Sequence, residues 1–116
     1  MQFDFDKFAD IAAAAFPDGG YTLPEALAVF RYYFGQYEAY MGGPHPPIRA
    51  AQIVRIVQEM PYITETDKGN SMLAIIPECY PAMIDRHFQT RYNRCDYNIN
   101  HFFSGRIREL RFYETC

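Results

Sequence analysis

At 116 residues, with 49% hydrophobic and 17% aromatic content, the chain falls among globular sequences and is long enough to bury one core without staples. Its net charge of −3 and pI of about 5.5 mean that the domain as a whole repels phosphate, and no apolar run approaches the roughly 18 residues of a membrane span. The charge is nevertheless polarised, because residues 1–84 hold five basic and ten acidic side chains while 85–116 hold six arginines and four acids.

A first helix is expected over Asp6 to Phe16, with Phe5, Phe8, Ala12, Ala15 and Phe16 on one face and acidic residues at its N-terminus, where the dipole favours them. Pro17-Asp18-Gly19-Gly20 ends it. Thr22-Leu23-Pro24-Glu25 reads as a capping box, and the helix it starts carries Leu23, Leu27, Phe30, Phe34, Tyr37 and Met41 at alternating steps of four and three. Ala26, Val29, Tyr33 and Tyr40 widen that stripe, so this helix is expected to be central. Gly42-Gly43-Pro44-His45-Pro46-Pro47 breaks the chain before a third helix, about Ile48 to Met60, that points Ile53, Ile56, Val57 and Met60 inward.

Residues 62–76 contain the turn signal Asp67-Lys68-Gly69-Asn70 between short apolar runs, which fits a two-stranded ribbon or a loop. Met72 to Ile76 reads as a buried strand or extended segment. A fourth helix is expected from about Pro81 to Tyr92, burying Ile84, Phe88 and Tyr92. Asp96 or Asn98 then caps a fifth helix reaching toward Glu114, with Ile99, Phe102, Phe103, Ile107, Leu110 and Tyr113 on its buried face and a break available at Gly105. The expected fold is an all-α, single-domain orthogonal bundle of about five helices over 1–116, with a short extended segment or β-ribbon near 62–76 as its exception.

Cys79, Cys95 and Cys116 are odd in number and widely spaced, and Met1-Gln2-Phe3-Asp4 is no signal-peptide n-region. A soluble protein of the reducing cytoplasm is expected, where thiols stay unpaired. Cys79, His87, Cys95 and His101 lack the close spacing of zinc ligands, and no motif of nucleophile, phosphate loop or metalloprotease is present, so no metal, cofactor or catalytic residue is assigned.

The binding expectation rests on the C-terminal third. On the fifth helix Asn100, His101, Arg108 and Arg111 gather opposite the apolar face, and Arg91 and Arg94 precede it, a helix–turn–helix layout of residue types used on phosphates and base edges. The competing reading is a solvated face. Asp4, Asp6, Asp10, Asp18 and Glu38 form an alternative acidic surface for a partner's basic groove, with Tyr32 as an exposed anchor.

Two blocks carry a resemblance: Pro46-Pro47-Ile48-Arg49-Ala50-Ala51-Gln52-Ile53, and Asp96-Tyr97-Asn98-Ile99-Asn100-His101-Phe102-Phe103 continuing through Ser104-Gly105-Arg106-Ile107-Arg108-Glu109-Leu110-Arg111. They resemble segments of small helical proteins carried on mobile elements of Firmicutes, over roughly a quarter of the chain. The resemblance implies a phage or integrative-element setting, in which small proteins bind DNA or block host enzymes in the anti-CRISPR manner. It brings over no active-site residue. The expected function is therefore nucleic-acid binding by a non-enzymatic module, with inhibition of a nucleic-acid-handling host protein as the alternative.

Overall fold

The Thr22 hydroxyl and Glu25 carboxylate cap each other's backbone N–H groups at 3.3 and 2.9 Å, so the second helix starts where its sequence dictates. In the computed structural model, which describes residues 3–17, 20–104 and 106–116, this helix is α2 (Leu23–Met41). Gly42 closes it at a φ of 78°, a left-handed cap that side chains other than glycine adopt at a cost. Before it lies α1 (Phe5–Ala15), capped by the Asp4 carboxylate; after it comes α3 (Ala50–Glu59). The turn residues Asp18 and Gly19, the acidic candidate Asp18 and the break point Gly105 lie outside the described residues.

Residues 62–74 form a ribbon. Strands β1 (Tyr62–Glu65) and β2 (Ser71–Ala74) pair antiparallel with Tyr62 opposite Ala74 and Glu65 opposite Ser71, and Gly69 and Asn70 supply the positive φ values at the turn. Period-two alternation turns Ile63 and Glu65 inward, while Tyr62, Thr64 and Met72 face outward. The expectation of a buried segment at 72–76 is thus corrected: Ile75 is buried, but Met72 is 61% exposed, on the ribbon face turned to solvent, and Ile76, past the end of β2, is 59% exposed.

A single 3-10 turn (Pro77–Cys79) leads into α4 (Tyr80–Gln89), which stops three residues short of the expected Tyr92. There the Thr90 hydroxyl takes the Arg86 carbonyl at 2.6 Å, and the chain turns away. The expected fifth helix is two pieces, α5 (Ile99–Phe102), capped by the Asn98 side chain, and α6 (Ile107–Thr115). The architecture is compact and mostly helical with one small sheet, a helical bundle that is not strictly all-α. Its core joins Phe8 of α1, Phe30 and Tyr33 of α2, Ile53, Ile56 and Val57 of α3, Met83 and Ile84 of α4, and Ile99 and Phe102 of α5. Phe8 meets Phe30 and Phe34 edge to face at 5.0 and 5.1 Å.

Two cysteines expected as free thiols are joined: Cys79, before α4, pairs with Cys116, after α6. Wide spacing in sequence concealed this, since α6 folds back along α4 and brings the two ends together. Cys95 is the free cysteine, half-buried, with its thiol pKa raised by burial. Among the described residues no helix is long and apolar enough to cross a membrane.

Candidate nucleic-acid interface

The six residues expected to form one binding face are not on one face. The break before α6 resets its rotation, so the projection that joined Ile99 to Tyr113 does not survive: Leu110 and Tyr113 are exposed, and Arg108, Glu109 and Arg111 point inward. Arg108, 8% exposed, donates to the Glu59 carbonyl at 3.2 Å and to the Tyr80 hydroxyl at 2.9 Å, with its guanidinium 4.8 Å from the Phe103 ring centre. It caps the negative end of α3. Glu109 accepts the Thr66 N–H and hydroxyl at 3.1 and 3.0 Å and pairs with Arg106, tying α6 to the ribbon.

Arg111, also buried, donates through Nη1 to the Tyr92 hydroxyl at 2.9 Å; its Nε lies 2.7 Å from Glu114 but is not aligned for a hydrogen bond. From Tyr92 a relay runs inward. The Tyr33 proton goes to the Tyr97 carbonyl at 2.7 Å, so the Tyr33 oxygen accepts from His87 Nε2 at 3.0 Å, and His87 Nδ1 accepts from Tyr92 at 3.0 Å. Fully buried, His87 stays neutral, its pKa pushed down to about 3 chiefly by burial, with His101 and Arg111 adding to the effect. His45, expected in a rigid turn, is a second buried imidazole: the Ile99 N–H donates to its Nε2 at 2.9 Å, which places the proton on Nδ1, facing the Pro46 carbonyl at 2.7 Å. Burial lowers its pKa.

Arg91 and Arg94 stand differently. Both are exposed on the loop from Thr90 to Asn98 and hold no side-chain hydrogen bond or ion pair among the described residues. The loop is nonetheless well held, by the Tyr97 hydroxyl on the Thr90 carbonyl at 2.6 Å, by Tyr33 on the Tyr97 carbonyl, and by Arg111 and His87 on Tyr92. Arg94 and Tyr97 take φ values of 55° and 58°, which such anchoring supports. Arg111 is thus buried and spent on holding the loop through Tyr92.

Beside Arg91 lies an open groove of about 260 Å³ lined by Tyr40, Met41, Phe88, Gln89, Thr90 and Tyr97. In it three rings stack: Tyr40 on Phe88 at 5.4 Å and 12°, and Phe88 on Tyr97 at 5.9 Å and 19°. Tyr40, read from sequence as part of the buried stripe of α2, is 50% exposed because the stripe runs one turn beyond the elements that cover it. The signal for this was its place just before the Gly42-Gly43-Pro44 break. Asn100 and His101 are half-buried; the four-residue α5 that carries them is too short for a recognition helix, and this corrects the helix–turn–helix expectation.

Of the alternative surface, Asp4 is occupied as the α1 cap, while Asp6, Asp10 and Glu38 are exposed. Tyr32 is half-buried and donates to Asp85 at 2.6 Å, a bond that pushes its pKa up to about 12, so it is not a free anchor. Among the described residues no three His, Cys, Asp or Glu side chains are grouped to hold a metal. In comparison with known proteins, the chain matches no family model, no curated protein and no solved structure.

Proposed function

We propose that this chain is a small non-enzymatic nucleic-acid-binding module whose contact surface is the Thr90–Asn98 loop, not the polar residues of α6. The observation that carries this reading is that two arginines, Arg91 and Arg94, stand exposed on one short loop without carboxylate partners among the described residues. Arg55, Arg86 and Arg106 each have such a partner, and Arg31 and Arg49, exposed and unpaired too, stand singly elsewhere. An unpaired guanidinium needs no internal ion pair broken before it meets a phosphate. With two such groups on an acidic domain, binding is weak and strongly salt-dependent. Fluorescence anisotropy with labelled mixed-sequence DNA at low salt tests it. Joint replacement Arg91→Ala and Arg94→Ala is expected to reduce affinity at least tenfold with thermal melting unchanged; full-strength binding by that variant rejects the loop as the contact.

One observation favours a second reading, a protein partner, as in the host-enzyme inhibitors considered above. On the outer face of the ribbon Tyr62 and Met72 are 45% and 61% exposed, at the edge of a groove of about 590 Å³ that reaches Arg55 and Ser104. Aromatic side chains and methionine exposed beside a groove are suited to anchoring a partner. Recovery of one stoichiometric protein from host lysate, insensitive to nuclease and lost on Tyr62→Ala, would support this reading over the first.

A further inference from the structure

We infer that the ligand of this surface is a single strand, held by stacking a base on Tyr40 while Arg91 and Arg94 take the adjoining phosphates. The inference rests on the nucleic-acid reading above and specifies it. Phe88 lies nearly parallel to the Tyr40 ring at 12°, in an offset stack with centroids 5.4 Å apart, and Tyr40 remains 50% exposed beside the open groove. Tyr97 supports Phe88 in turn, and its own hydroxyl is tied to Thr90, which makes the platform three rings deep and anchored in the loop that bears the arginines. A ring backed in this way loses little freedom when a base is laid on it.

The same geometry disfavours a duplex. Bases paired inside a double helix present edges, not faces, and reading edges requires an element that enters a groove. The short α5 does not supply one, and the buried guanidinium groups of Arg108 and Arg111 cannot reach out. A stacking platform with flanking cations instead matches the way single strands are held with little sequence preference. The acidic remainder of the chain limits the contact to a few nucleotides.

The test uses the full chain with a fluorescein-labelled adenine-rich DNA strand of about 12 nucleotides, the RNA of the same sequence, and the matching DNA duplex. The strands are expected to bind about tenfold or more tighter than the duplex, with a log–log salt slope near −1.4 for two phosphates neutralised. Tyr40→Ala should weaken strand binding about tenfold without changing melting, and Tyr40→Phe should retain it. Because the chain contains no tryptophan, Tyr40→Trp places a unique fluorophore on the platform, and its emission should be quenched by the strand and not by the duplex. If Tyr40→Ala binds at full strength, or the duplex competes equally, stacking is overturned while the arginine loop stands. If no oligonucleotide binds the unmodified protein, both readings fall.

Discussion

Arg108 donates to the Tyr80 hydroxyl across 2.9 Å, and that hydroxyl donates onward to the Met60 carbonyl across 2.6 Å. A cation and a phenol from two helices thereby close the C-terminal end of a third. The arrangement places charge inside the molecule with a partner for its field, the carbonyl end of α3.

Replacement Arg108→Ala is expected to destabilise the fold by about 2 to 3 kcal/mol, because it leaves the Glu59 carbonyl and the Tyr80 oxygen without their donor. Urea denaturation measures it directly. A change within about 0.5 kcal/mol, typical of a surface site, would return Arg108 to the exterior.

Neighbouring residues on α6 should respond very unequally to truncation. Glu109→Ala removes the acceptor of the Thr66 N–H and should cost about 2 to 3 kcal/mol, while Leu110→Ala, at a position 39% exposed, should cost less than about 1 kcal/mol. Reversal of that order in thermal melting would show that α6 presents its apolar side to the core after all.

Folded His45 and His87 have lowered pKa values, so below about pH 6.5 their unfolded forms bind protons that the folded forms refuse. Stability should be fully present above that pH and fall as pH drops, by up to about 1.4 kcal/mol per pH unit for each histidine, continuing for His87 toward its folded value. Urea midpoints between about pH 7 and about pH 5 isolate this effect, since the lowered carboxylates Glu25 and Glu65 act below that window. A flat profile would contradict the buried neutral imidazoles; His87→Phe should shallow the slope.

Cys79 and Cys116 are 37 positions apart, and opening a closure of that length should lower stability by roughly 3 to 4 kcal/mol. Reduction or Cys116→Ser, followed by denaturant unfolding, checks the magnitude. Thiol titration of the unfolded protein should find one reactive group without reductant, Cys95, and three after reduction. Three groups without reductant would show that the bridge does not form.

How far the fold is legible in the sequence depends on what specified each element. The capping box of α2, the inward residues Ile53, Ile56, Val57 and Met60 of α3, and the turn between β1 and β2 were readable because short-range geometry specifies them: a cap reaches three residues, a helical stripe repeats every three or four, and Gly69-Asn70 tolerates positive φ. Arg91 and Arg94 could be named as candidates from charge alone. Only the tertiary structure decided that Arg108 and Arg111 turn inward, since a break of a few residues resets helix rotation and a buried guanidinium is stable only where Tyr80, Glu59 and Tyr92 from distant parts of the chain meet it. It also decided that Cys79 meets Cys116 and that Tyr40 is left uncovered on Phe88, because pairing and exposure depend on which elements end where, and periodicity within one helix carries no record of its neighbour's length.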